Sequence, residues 1–502
     1  MTRRLSMTGV AAAASIAAAA MTYTSIVYSR AAYAPGHLET VLTPGRAAAV
    51  LTATGGLLLL ARVPRIILIL LVGFVYLNVS EVLVRYHGWP SLLQLVVVPI
   101  GVVALAVSTA AHRRRVLTHP LTIALAAYVL VVFGATTVAR DSALAAARSS
   151  DLLKTFILAL LVAVLAPRLR DVRSAGWTIL ACGTALASLG IVQVLTDSYT
   201  SEYGGFGRIK FAHIVGTTFE PRISGPLGDP NFFAQSLLVL VPVALMLAIH
   251  ERTSLLRCAA ALSALVITIG TIFTYSRGGA VALCCAIALV VAGSIRHLRR
   301  KHVAAILGVL TVLVLFAPRE FLLRLTTLQQ FLPGGEGEQL GDTSFEERRL
   351  LTTAAWLTFL DHPFTGVGPG NYTHYFDEYA GQIGSAVLEY EVQDDTHYPH
   401  NLYLEIAAET GLPGLLAFGG VLAVTFSTLG RAKRAFRARS HAFAAGLTAA
   451  LQAAVAGYLV SSLFLHGSHQ RYLWLLFGLT IALSCNAARS MDRGAVDAEA
   501  AS

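Results

Sequence analysis

The chain has 502 residues, 55% hydrophobic and 13% charged, with a mean hydropathy of +0.66. A soluble domain carries about 25% charged residues, so a water-soluble globular protein is excluded. The net charge of +10 does not indicate a nucleic-acid partner, because most of the basic residues sit in short loops between apolar runs, where they meet anionic lipid headgroups.

Apolar runs long enough to cross a bilayer recur from end to end. They predict spans at 8–29, 43–61, 64–84, 91–111, 118–138, 151–167, 174–195, 231–249, 254–275, 279–295, 303–318, 411–429, 442–465 and 471–487. The first is Ala-rich and is read as a retained helix rather than a signal segment, since no convincing cleavage site follows it. Backbone groups in lipid must be satisfied within the segment, so the expected fold is all-α, a polytopic bundle of about 12–14 spans. With the N-terminus inside, 23 of the 38 Lys and Arg residues fall in inner loops, among them Arg113, Arg114, Arg115, Arg299, Arg300 and Lys301. The five cysteines lie in or beside spans, which implies neither a disulfide framework nor a Cys-based metal site.

The chain divides into N-terminal spans (1–195), spans with Arg-bearing outer turns (196–318), a long outer loop (319–410) and C-terminal spans with an inner tail (411–502). The outer interval 196–230 is too rich in Gly and Pro for a long helix. Within the long loop, 343–361 reads as a helix. Thr343 or Ser344 would cap it against Glu346 or Glu347, Leu350, Ala354, Leu357 and Leu360 would share a face, and His362-Pro363 would end it. It is expected to lie across the outer membrane face or over the site. From Arg319 to His400 the loop holds thirteen acidic and four basic residues, a charge that a solvated surface explains.

Three residues stand out for chemistry. Arg222 lies in a tight Gly/Pro turn on the outer side, where a snorkelling interfacial Arg is the plainer alternative. Arg277, in Ser-Arg-Gly-Gly between two spans, sits where the charge bias disfavours Arg. The fork of its guanidinium suits a phosphate, with an acidic residue of the loop as the alternative partner. His400 follows Pro399 at a helix entry, and could accept a proton near neutrality or simply bond a backbone carbonyl. His397 and His400 with Asp394 and Asp395 make only an incomplete ligand pattern, so no metal is expected. Glu405 and Glu409 share a helix face and could orient His400 or pair with Arg277. The loop tyrosines, such as Tyr375 and Tyr398, could stack on sugars or form an interfacial belt.

Three stretches, taken in order, resemble the O-antigen ligase and polymerase superfamily of bacterial envelope glycan assembly: RISGPLGDPNFFAQ, TYSRGG, and DHPFTGVGPGNY followed by His400-Asn401, Leu404, Glu409 and Gly411. The resemblance covers about 200–430. It implies a GT-C-like membrane glycosyltransferase that needs no cofactor. The donor would be a glycan on undecaprenyl diphosphate and the acceptor a sugar hydroxyl, of lipid A–core or of a growing polysaccharide. The site would lie at the periplasmic face of the inner membrane, among membrane lipids. By the same resemblance, Arg222 and Arg277 would hold the diphosphate and His400 would be the general base, supported by Asn231, His397, Asn401, Glu405 and Glu409. Ligase is placed ahead of polymerase. A transporter is disfavoured because ionisable residues in the spans are few, Lys154 and Glu81 chiefly. A non-catalytic assembly protein would survive loss of either Arg.

Overall fold

The computed structural model describes residues 64–89, 100–101, 104, 108–215, 218–294, 319, 321, 343–383, 397–467 and 469–499. The expected spans at 8–29, 43–61 and 303–318, most of 91–111, Asp394, Asp395 and the side chains of 343–347 lie outside that description.

The first described helix, α1 (Pro64–Tyr76), meets α2 (Val79–His87) at a 53° bend, where Asn78 takes a left-handed conformation. After α3 (Ala110–Leu117), α4 (Pro120–Ala135) begins with Pro at its first position and the His119 ring accepting from Leu121 N–H. α5 (Ser142–Leu165) starts nine residues before the expected span, because Asp141 caps it by accepting from Leu144 N–H at 2.9 Å. Lys154 on this helix pairs with Asp151 at 2.9 Å. α6 (Leu169–Leu195) then leads to the Gly/Pro interval.

As expected, that interval forms no long helix. It forms an antiparallel hairpin of β1 (Ile209–Val215) and β2 (Thr218–Ile223), which the sequence analysis did not foresee in an otherwise helical chain. The span expected at 231–249 is broken into α7 (Pro230–Leu238) and α8 (Val241–His250). Pro242 cannot donate to the preceding turn, which opens the helix there. α9 (Ser254–Ile272) and α10 (Arg277–Ser294) follow.

In the long loop, α11 (Thr343–Asp361) is where the sequence places it, ended by His362-Pro363, and α12 (Thr373–Ile383) packs on it. The expected face is right at Leu350 and Ala354 but wrong at Leu360, which is 51% exposed. Leu351, Ala355 and Thr358 are buried instead, so the stripe is centred further round the helix. α13 (Leu402–Ala438) begins nine residues before the expected span and bends at Gly411, next to Pro413. α14 (Ala442–Ser461) and α15 (Arg471–Glu499) complete the described chain.

Among the described residues, seven helices are long and apolar enough to cross a membrane. The segment Pro230–His250, α14 and the first part of α15 are mostly buried by neighbours, while α6, α9 and α13 leave most of their apolar surface outward. Leu130, Leu195, Leu255 and Leu416 are more than half exposed, as lipid-facing side chains must be. α14 sits against α8, α10 and α13, and α15 packs on α5. Two charges pair between the start of α6 and the end of α8: Arg173 bridges Glu251 through two 2.7 Å bonds, and Glu251 also accepts from Trp177.

Candidate active site

The hairpin is anchored where β2 ends. Ile223 N–H donates to Phe273 O at 3.2 Å, and Ser224 and Gly225 donate back to Arg208 O. This places Arg222, which is 6% exposed, against the turn between α9 and α10. Its Nε donates to Thr274 O at 2.8 Å, and a terminal nitrogen donates to Asn231 Oδ1 at 3.1 Å. Asn231 is presented there because Asp229 caps α7, accepting from Asn231 N–H and Phe232 N–H. Lys210 stands directly across the ladder from Arg222. Like charges in that register oppose pairing, so the strands hold two cations side by side against their own stability.

Arg277 opens α10, is also 6% exposed, and follows the left-handed residue Tyr275. Ser276 Oγ accepts from Gly279 N–H, a cap for that helix. The two glycines after Arg277 are needed for contact. A Cβ at Gly278 would lie 2.8 Å from Phe464, and one at Gly279 would lie 2.8 Å from Ala234. The N-terminus of α10, with its partial positive charge, is thereby pressed against α7 and the segment after α14.

The third part of the site is the irregular segment 397–401. His400 has a left-handed backbone (φ 46°), a strained state for a residue with a Cβ. It is held on both sides: Thr352 of α11 donates to Pro399 O, Asn401 Nδ2 donates to Leu463 O, and Leu402 N–H donates to Ser462 O. Asn401 Oδ1 caps α13 by accepting from Tyr403 and Leu404. α11 therefore lies beside the His400 turn. Burial, then the Arg348 charge, pushes the His400 imidazole down to about 4, with Lys210 adding and Asp229 opposing. It is therefore neutral at pH 7. Among the described residues, His400 Nδ1 is buried without a hydrogen-bond partner.

The supporting residues separate into two groups. Asn231 and Asn401 lie in the site, one on Arg222 and the other tying the His400 turn to the 462–463 segment. The carboxylates brace turns. Glu405 accepts from Gly467 N–H at 2.6 Å, and Glu409 accepts from the backbone of Gly370 and Tyr372 in the Gly-rich turn. His397 stacks on Phe376 of α12 at 4.2 Å, with its carbonyl taking a bond from Thr373. Its ring thus serves the loop's own packing.

Sequence reasoning missed several neighbours. Lys210 and Arg348 reach His400 electrostatically through a hairpin and a helix whose registers sequence spacing did not reveal. The stretch FLHGSHQ between the last two spans did carry a signal, as a second His-bearing turn on the side of His400. The His466 ring meets His400 edge-on at 5.2 Å and stacks on Tyr398 at 4.2 Å.

Residues 261–419 match the O-antigen ligase family model, a stretch that holds Arg277, His400, Glu405 and Glu409. No curated protein matches the chain. The match supports assignment to the O-antigen ligase/polymerase family, and with it an O-antigen ligase- or polymerase-type, glycosyltransferase-like activity. That family implies lipid-linked glycan and polysaccharide acceptor substrates in general. Together with the seven apolar helices it makes this a multi-pass membrane protein.

Proposed function

We propose that the protein is a ligase that transfers a glycan from undecaprenyl diphosphate to an acceptor sugar hydroxyl, with lipid A–core as the acceptor, at the periplasmic face of the bacterial inner membrane. The observation that carries the reading is the convergence of Arg222, Asn231 and the Arg277 helix start on one side with a neutral His400 on the other, all at or beyond the ends of apolar helices.

The acceptor hydroxyl gives its proton to His400 as its oxygen attacks the anomeric carbon. Nδ1 is sealed, so Nε2 is the receiving nitrogen. The bond from the anomeric carbon to the diphosphate oxygen breaks, and undecaprenyl diphosphate leaves carrying the electron pair. Arg222 and Arg277 hold the diphosphate and take up the charge that grows on it, work that a metal ion performs in other transferases. Direct attack inverts the anomeric centre.

A deletion strain complemented with wild type, Arg277→Ala or His400→Ala tests this. Membrane levels are matched, and surface and lipid-linked glycans are analysed together. The expected result is loss of mature surface glycan with build-up of long undecaprenyl-linked chains, and turnover in isolated membranes that survives EDTA. Build-up of single repeats assigns a polymerase instead, and full complementation by both variants removes the catalytic assignment.

A further inference from the structure

A buried catalytic histidine is usually oriented by a hydrogen bond from its second nitrogen to a carboxylate or carbonyl. His400 Nδ1 has no such partner among the described residues, and its backbone is strained. The ring must be held by something else, and the structure offers a stack of rings. His466 meets the His400 ring edge-on, with centroids 5.2 Å apart and planes at 78°. Tyr398 lies flat on His466, at 4.2 Å and 6°. Phe232, from the cap of α7, closes a further side of His466 edge-on at 5.1 Å. Arg148 of α5 tethers the outer ring, donating to Tyr398 OH at 2.8 Å, with its guanidinium over the ring at 6.0 Å.

Resting on the reading of His400 as the base, we propose that His466 and Tyr398 are positioning residues: a flat ring pair, anchored by Arg148, that fixes the His400 imidazole toward the acceptor hydroxyl. Edge-to-face and offset ring contacts are directional, so they can select one rotamer where no hydrogen bond does. His466 Nδ1 is itself buried without a hydrogen-bond partner among the described residues, and burial holds the imidazole well below its usual pKa. His466 therefore acts as a neutral aromatic plate. Its nitrogens are not required for this role, and its shape is.

The test uses full-length protein in detergent, lipid-linked glycan extracted from the deletion strain as donor, and membranes of that strain as acceptor. His466→Ala is expected to lower kcat by about 10- to 100-fold, with donor KM within about twofold, because misplacing a base by about 1 Å costs rate rather than binding. His466→Phe restores the plate and is expected to return kcat to within about threefold of wild type. Tyr398→Leu, which stays apolar but loses the flat face and the hydroxyl held by Arg148, should resemble His466→Ala, and it serves if that variant does not fold. In parallel, carbethoxylation of His400 is followed by mass spectrometry. It should speed up at least about fivefold in His466→Ala and not in His466→Phe, as expected when a ring leaves its slot. The proposal is overturned if His466→Phe is as inactive as His466→Ala, which assigns the nitrogens a chemical role, or if His466→Ala matches wild type in both readouts. If His400→Ala keeps full turnover, the base assignment fails, and the labelling rates alone then decide whether the stack holds the ring.

Discussion

Gly411 is a position where one added methyl group should do severe damage. Its backbone (φ 64°, ψ −165°) is in a region reached almost only by glycine. A Cβ there would lie 2.8 Å from Pro363 O, 2.9 Å from Phe364 C and 3.0 Å from Gly366 N. These are backbone atoms, which cannot rotate away. They belong to the turn that docks the loop helices onto α13, where Leu412 N–H donates to Pro363 O, Val367 N–H to Ala408 O and Gly368 N–H to Glu409 O. Gly411→Ala adds about 1–3 kcal/mol of backbone strain and puts hydrogen bonds worth about 1 kcal/mol each at risk, for a total of about 3–4 kcal/mol against docking. Opening of the loop against α13 should then be about 100- to 1,000-fold more frequent, since each 1.4 kcal/mol is about tenfold. Arg348 and Arg349 lie on α11, so the initial rate of tryptic cleavage there reads that opening. Gly420→Ala on the same helix is the control, because nothing lies within 4 Å of its Cβ. Cleavage of Gly411→Ala at the wild-type rate, with the control unchanged, would refute the docking argument.

Two further outcomes are expected. An unshifted histidine is half protonated near pH 6.5, but His400 at about 4 is less than about 1% protonated there, so kcat/KM should stay flat down to about pH 5 and fall only below it. The sign follows from a lowered pKa, which keeps the base available at lower pH, and an acid limb centred near 6.5 would contradict the buried setting. Asn231→Ala removes the acceptor from one guanidinium nitrogen of Arg222 while the Thr274 bond remains. It should weaken donor turnover by about tenfold, in line with ~1.5 kcal/mol for one charge-assisted bond, and an unchanged kcat/KM in isolated membranes would show that Arg222 needs no such brace.

What could be read from the sequence follows the range of each signal. Hydropathy is summed over many residues, so spans such as 118–138 and 174–195 reappear within a few residues of their expected ends. Caps and prolines are local, and they placed α11 and its stop at Pro363. The misplaced starts of α5 and α13 have one cause: Asp141 and Asn401 begin each helix in a polar stretch, before the apolar run that hydropathy detects. Leu360 failed because a helix with buried doublets at 350–351 and 354–355 turns its stripe away from a simple three-four spacing.

The site residues follow the same division. Arg222, Arg277 and His400 were legible as polar groups stranded at the ends of apolar runs, since such residues are costly unless used. Their mutual placement was not, because it depends on contacts between segments far apart in the chain. Arg222 meets Thr274, Gly278 meets Phe464, and Asn401 meets Leu463. The segment after α14 recurs in the last two of these pairs, and it also supplies His466. It sits between two spans and matches no stretch that the motif reading selected, yet it is the surface on which the α10 start and the His400 turn are assembled. A short turn between two long helices is rigid at both ends. That rigidity is what a centre built from a hairpin, a helix start and a strained histidine requires.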